Sequence, residues 1–273
     1  MGRRQIRISA NGGARLTQAP NSAPLRIESF TSLEQFDQCV ALEEAVWGYD
    51  PADMIPRRMF LLASRIGGQV MGAFLGNRPT AVGFAMALPA FRNGHAYLHS
   101  HMVGVIPEVR NQGIARALKL AQRDDALARG FDLMEWTFDP TEIKNAYINI
   151  AKLGAIVRRY QHNFYGPSSS PLQGGLPTDR VYAEWWLRSK RVERALNGQP
   201  PIFTITERVN VPAEIYDWKA SPPDRIAARE VQSHNAQHLE SAFANGHAVL
   251  NYQRNAHGDG QFQLGLWDEH YAY

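Results

Sequence analysis

The chain has one cysteine, Cys39, in 273 residues. That scarcity excludes an internal disulfide, a disulfide-stapled secreted scaffold and a cysteine-ligated metal, and it fits a reducing, cytoplasmic compartment. No apolar run is long enough to span a bilayer, so no membrane association is expected. The opening Met1-Gly2-Arg3-Arg4-Gln5-Ile6 is basic but lacks the apolar stretch of a signal peptide, and Ile6 stands where a myristoylation motif needs serine or threonine. Acidic residues are missing from the first 24 positions, which hold Arg3, Arg4, Arg7 and Arg15; the formal net charge of +3 therefore resides in this leader. The remaining 25 basic and 26 acidic residues nearly cancel, which argues against a nucleic-acid partner. A solvated, flexible leader is the reading for 1–24. Lysine is also rare, 5 against 24 arginines, and this has no functional consequence we can name.

The most informative stretch present is 103–115, Val-Gly-Val-Ile-Pro-Glu-Val-Arg-Asn-Gln-Gly-Ile-Ala. Residues 98–105 read as a strand that Pro107 ends, and Ile114, Ala117, Leu118 and Ala121 recur at helical spacing. Between them Arg110, Asn111, Gln112, Gly113, Ile114 and Ala115 form a compact loop that opens the helix. Unpaired amides at a helix N-terminus attract an anion, glycine admits close backbone approach, and Arg110 adds a cation, so the loop suits a pyrophosphate. An ordinary strand-loop-helix turn is the other reading of so short a string.

Length allows one domain with an extension, or two small ones. A strand is expected at 25–30, then a helix from a Ser32/Gln35 capping box through Val46, a helix at 56–66, and a hairpin of 70–75 and 80–88. After the stretch above come a strand at 133–138 and a helix that opens with Asp139 as cap, Pro140 and Glu142 and closes at Leu153-Gly154. Strands at 155–160 and 180–187 follow, separated by a Pro, Ser and Gly rich loop at 166–177. This alternation predicts an α/β (mixed α+β) domain over 25–190, a mixed twisted sheet flanked by helices. Residues 191–273 change character, with a strand at 202–209, a helix at 224–244 and a strand pair at 249–252 and 262–267. This small α+β appendage is marginal alone. Its apolar face at Phe262, Leu264 and Leu266, with Trp218, Tyr252 and Trp267 as anchors, is expected to pack on the preceding domain or on a second subunit of a homodimer.

Arg110, Gly113 and Ala115 fill the fixed places of a signature: arginine or glutamine, two residues, glycine, one residue, glycine or alanine. The string resembles that of the GNAT superfamily of N-acyltransferases. The order of elements over 25–190 is similar too. His99-Ser100-His101-Met102, Trp136-Thr137-Phe138-Asp139-Pro140, Asn163-Phe164-Tyr165-Gly166 and Thr178-Asp179-Arg180 look like a bacterial and archaeal branch of that superfamily. The resemblance implies coenzyme A held at 110–115, with Val103 and Val105 offering backbone groups to pantetheine and Asn145 meeting the cofactor. It implies direct transfer of an acetyl or other short acyl group from acetyl-CoA or a related thioester, without a metal, to an amine of a small-molecule or peptide acceptor. Trp47, Tyr49, the 166–177 loop and the appendage are the segments expected to set the acceptor.

Such chemistry uses a base for the ammonium proton and an acid for the departing thiolate. His99 and His101 share a strand face by period two, and His101, nearer the expected opening of the strand, is the first candidate base. Glu135 on the next strand is a further acid or base candidate. His95 joins the two histidines, but no acid accompanies them at metal-ligand spacing, so no metal site is expected. Many family members place a tyrosine two residues before the Lys-Leu-Gly that ends the last helix. Here that place is Ile150, and Tyr147 is the substitute acid. The displaced tyrosine favours an alternative, a non-catalytic acyl-CoA-binding or assembly module. His101, Glu135 and Tyr147 equally suit packing roles.

Overall fold

The computed structural model describes residues 23–168, 170, 173–271 and 273, so all but the last two positions of the expected leader lie outside the described residues. The chain forms two compact units, Met1–Phe131 and Asp132–Tyr273. The divide falls inside the stretch 25–190 expected as one domain, and 191–273 shares a unit with 132–190.

In the first unit, β1 (Leu25–Ser29), β2 (Gln69–Leu75), β3 (Gly83–Arg92) and β4 (His95–Val105) form an antiparallel sheet in that order. Helix α1 (Leu33–Trp47) starts at the expected capping box, with Ser32 Oγ accepting from Gln35 N and Gln35 Oε1 accepting from Ser32 N. Helices α2 (Arg57–Arg65) and α3 (Ile114–Ala128) complete the unit. Strand alternation sends Val70, Phe74, Phe84, Met86 and Met102 into a core with Phe36 and Leu42 of α1 and Phe60 of α2. Met71, Ala73, Ala85 and Val105 go to a second core with Ile114, Leu118 and Ala121 of α3. Each large side chain so buried stabilises by roughly 1.5–3 kcal/mol. Sheet faces covered on both sides explain why β2 and β3 read as apolar runs.

The pairing of β3 with β4 slips one residue: Met86 faces Met102, but Leu88 faces His99. Strand β4 therefore carries a bulge around Ser100 and His101, which leaves backbone groups out of the ladder and breaks the two-residue alternation. His99 and His101, expected on one face, flank Ser100 in this bulge with ring centroids 6.1 Å apart.

In the second unit, β5 (Leu133–Phe138), β7 (Arg180–Trp186), β6 (Ile156–Gln161), β9 (His247–Arg254), β10 (Gly260–Leu266) and β8 (Glu207–Val211) are neighbours in that order. All pairs are antiparallel. The strands from beyond 190 thus extend the sheet, joining it where Val157 faces Val249. Phe262 and Leu264 are buried, but Leu266, the last residue of β10, is 66% exposed; the register shift between Gln263 and Leu264 places an extra residue, Leu250, in β9. Besides α7 (Arg225–Ala244), two short helices not read from sequence appear, α5 (Lys190–Leu196) and α6 (Ile215–Ala220).

The helix expected from Asp139 to Leu153 is shorter and broken. Asp139 Oδ1 accepts from Thr141 N and Thr141 Oγ1 instead of capping the helix, so α4 (Ile143–Ala146) begins later. It runs into a π-helical turn, Tyr147–Lys152, closed by Leu153 N donating to Ile148 O. Such wide turns are often found at functional sites.

Candidate active site

After β4 the chain makes a single 3-10 turn, Pro107–Val109, and then a loop with two left-handed residues, Asn111 at φ 64° and Gly113 at φ 79°. Glycine suits the second because a side chain at positive φ is strained. A Cβ added at Gly113 would meet nothing within 4 Å, so the space in front of the loop is open. Gly113 is also the residue before α3, and no side chain caps that helix. Its first amides therefore keep their capacity for an anion. Asn111, Gln112 and Gly113 are exposed and Ala115 is half-buried, whereas the Ile114 side chain is core and leaves only its backbone for a ligand. These residues fit a pyrophosphate held by backbone.

Arg110 does not extend its guanidinium forward of this loop. Its Nε donates to Val105 O at 3.2 Å and its Nη2 to Val46 O at 3.3 Å, so the side chain ties the loop back to β4 and to the end of α1. Arg110, expected as a cation for the pyrophosphate, makes this brace beside the loop. The Val105 side chain is buried toward α3, and Val103 is half-buried. Between them Gly104 makes room for an indole: a Cβ there would lie 2.8 Å from Trp47 Cη2. Trp47 stacks on Tyr49 at 5.9 Å and meets Phe84 edge-on. The aromatic pair expected to face the acceptor thus stands on the strand segment expected to face the thioester.

His101 is half-buried in the β4 bulge, and burial holds its imidazole below the ordinary pKa, in the neutral form that can accept a proton. Sequence reading missed Glu43, on α1 one turn before Trp47. It is fully buried; Oε2 accepts from Ile55 N at 2.8 Å, Oε1 has no partner, and burial pushes the carboxyl up to about 7. In the sequence Glu43-Glu44 resembles a solvated helix face, and only tertiary contact distinguishes the two.

Glu135, Asn145 and Tyr147 belong to the second unit. Glu135 is fully buried and accepts from Arg159 Nη2 at 2.8 Å. A bulge in β6 between Val157 and Tyr160 accompanies this, with Arg158 Nη2 donating to Glu184 at 2.6 Å. Glu135 is thereby an ion-pair partner, with its candidate proton-transfer role constrained by Arg159. Asn145 is exposed and accepts from Asn149 Nδ2 at 3.1 Å. Tyr147 is half-buried, with Lys152 Nζ 5.1 Å from its ring centroid. Ile150, at the family's tyrosine place, is 1% exposed and a core residue.

Residues 35–148 match the model of the acetyltransferase (GNAT) family. The chain carries a GNAT acetyltransferase domain. The protein is accordingly an acyl-CoA-dependent N-acetyltransferase. Among solved structures, the ribosomal-protein-S18-alanine N-acetyltransferase of Escherichia coli is similar over 59% of this chain and 92% of its own, at 15% identity and a TM-score of 0.47. An N-acetyltransferase from Staphylococcus aureus Mu50 is similar over 61% and 100%, at 16% identity and a TM-score of 0.47. No curated protein matches the sequence. Among the described residues no group of three or more His, Cys, Asp or Glu could hold a metal, and no helix is long and apolar enough to cross a membrane.

Proposed function

We propose that this GNAT enzyme moves an acetyl or other short acyl group directly from acyl-CoA to an amine of a small molecule or peptide, in the cytoplasm. The observation that carries the reading is the sequence of a bulged β4, the open loop around Gly113 and the uncapped start of α3. The loop amides of 111–115 would hold the pyrophosphate, and the backbone at Val103 and Val105 would receive pantetheine. Acyl-CoA supplies an activated thioester carbonyl. The amine nitrogen forms the new C–N bond as the C–S bond breaks, the thiolate takes up a proton, and the ammonium proton passes to a base.

His101 is the favoured base, because burial keeps its imidazole neutral near pH 7. Tyr147 is the proposed proton donor to the thiolate, and Asn145 a cofactor contact on the same helical segment. Trp47 and Tyr49 form the acceptor wall. An acetyl-CoA assay against a panel of amines, read as free thiol, tests the reading. Amine-dependent thiol release is expected; CoA binding without release from any amine would leave the assignment of direct amine transfer without support.

A further inference from the structure

We propose that Lys219, on α6 beyond the residues of the family match, is a positioning residue for acyl transfer: it fixes the start of α4 and so the helical segment that carries Asn145 and Tyr147. The inference rests on the reading above, in which that segment serves the cofactor. Lys219 Nζ is buried and lies 2.8 Å from Glu142 Oε1, 3.0 Å from Asp139 Oδ2 and 3.4 Å from Thr141 Oγ1. Three side chains just ahead of α4 thus converge on one ammonium.

Helix α4 has no cap of its own. Tyr216, also on α6, supplies a hydroxyl that accepts from Lys144 N at 3.4 Å. From β9, Arg254 stands 6.0 Å from the Tyr147 ring centroid. A single α-turn followed by a π-turn has little stability by itself, and here residues from 216 to 254 hold it at both ends. Burial alone would push the Lys219 ammonium down and the Asp139 carboxyl up. Burial is the largest single influence on both, but it is outweighed by their mutual attraction together with Glu142 for the lysine and with Arg180 and Thr141 for the aspartate, so the ammonium is held up and the carboxyl down. Without Lys219 the buried Asp139 carboxylate would keep only Arg180 and Thr141 against the neighbouring Glu142 carboxylate, and the loop from Asp139 to Glu142 would have to rearrange.

The test compares the full-length parent with Lys219→Met, Lys219→Arg and the double variant Lys219→Met/Asp139→Asn, which removes the stranded buried charge and so protects folding. Amide hydrogen exchange, CoA affinity by calorimetry, and steady-state kinetics with acetyl-CoA are measured on each. In the double variant, amides of 141–150 should exchange about tenfold faster while those of 114–118 stay unchanged. The KM for acetyl-CoA should rise about fivefold with kcat within about threefold, and Lys219→Arg should recover most of the loss. Faster exchange with an unchanged KM would overturn the inference, as would no change in either. If the parent itself fails to bind CoA, the proposed function falls and takes this inference with it. If parent and variants bind and turn over CoA alike, only the inference falls.

Discussion

Arg110 Nη2 donates to the backbone carbonyl of Val46 at 3.3 Å, so the arginine of the signature loop braces the last turn of α1. Helix carbonyls at that end lack intrahelical partners, and a cation there is favourable. Because the same guanidinium holds Val105 O, it joins β4, the loop and the helix that ends in Trp47. Replacing Arg110 with alanine removes hydrogen bonds of a partly exposed group and should cost about 1–2 kcal/mol of stability. Replacing Gly113 with valine puts a β-branched side chain at φ 79° and into the open space before the loop. Calorimetry should find CoA affinity lowered about tenfold or more by Gly113→Val and several times less by Arg110→Ala. Equal losses would mean that the guanidinium, not the backbone, holds the phosphate.

His101→Ala should lower turnover about a hundredfold while CoA affinity stays within about threefold. Since burial holds the imidazole below its ordinary 6.5, the base form persists on the acid side of that value. The parent's kcat/KM should therefore remain high as pH falls to 6.5 and decline only below it. An unchanged pH profile in His101→Ala would remove the histidine from proton transfer and favour Glu43 or Glu135.

Glu43 gives a pH dependence of stability with a definite sign. Its folded pKa of about 7 lies above the ordinary 4.5, so between those values the folded state binds more protons than the unfolded one. Stability from this group falls as pH rises through that window, by about 3 kcal/mol in all. Glu43→Gln keeps the acceptor for Ile55 N and cannot ionise. Melting curves from pH 5 to 8 should show a shallower decline for the variant, with its largest gain over the parent at pH 8. Parallel curves would show that Glu43 titrates normally.

Truncation after Arg188 should give a chain that aggregates or melts at a clearly lower temperature. It strips β9 from β6, uncovers Ile156 and Val157, and leaves Asp139 without Lys219. Thermal denaturation and size-exclusion chromatography measure this. A soluble, monomeric product as stable as the full chain would make the segment independent.

Local chemistry was enough for much of the first unit. The Ser32/Gln35 box located α1, and Pro107 and Gly113 bracketed the loop before α3. Each of these signals lies within a few neighbouring residues. What the sequence could not settle depends on partners far along the chain. The bulge at Ser100 and His101 arises from pairing with β3, and the extra residue at Leu250 of β9 from pairing with β10. Asp139, which by spacing alone should cap a helix, instead accepts from Thr141 and pairs with a lysine 80 positions later. Glu43 and Glu44 are adjacent and chemically identical, and only the packing of the loop at Ile55 buries one of them. Hydrogen-bonding capacity and apolar period are properties of a residue and its neighbours, so the sequence determined the loop at 110–115 and most elements. Burial, register and charge pairing are properties of the folded chain, and tertiary structure alone decided the burial of Glu43, the bulge of β4 at His101 and the pairing of Asp139 with Lys219.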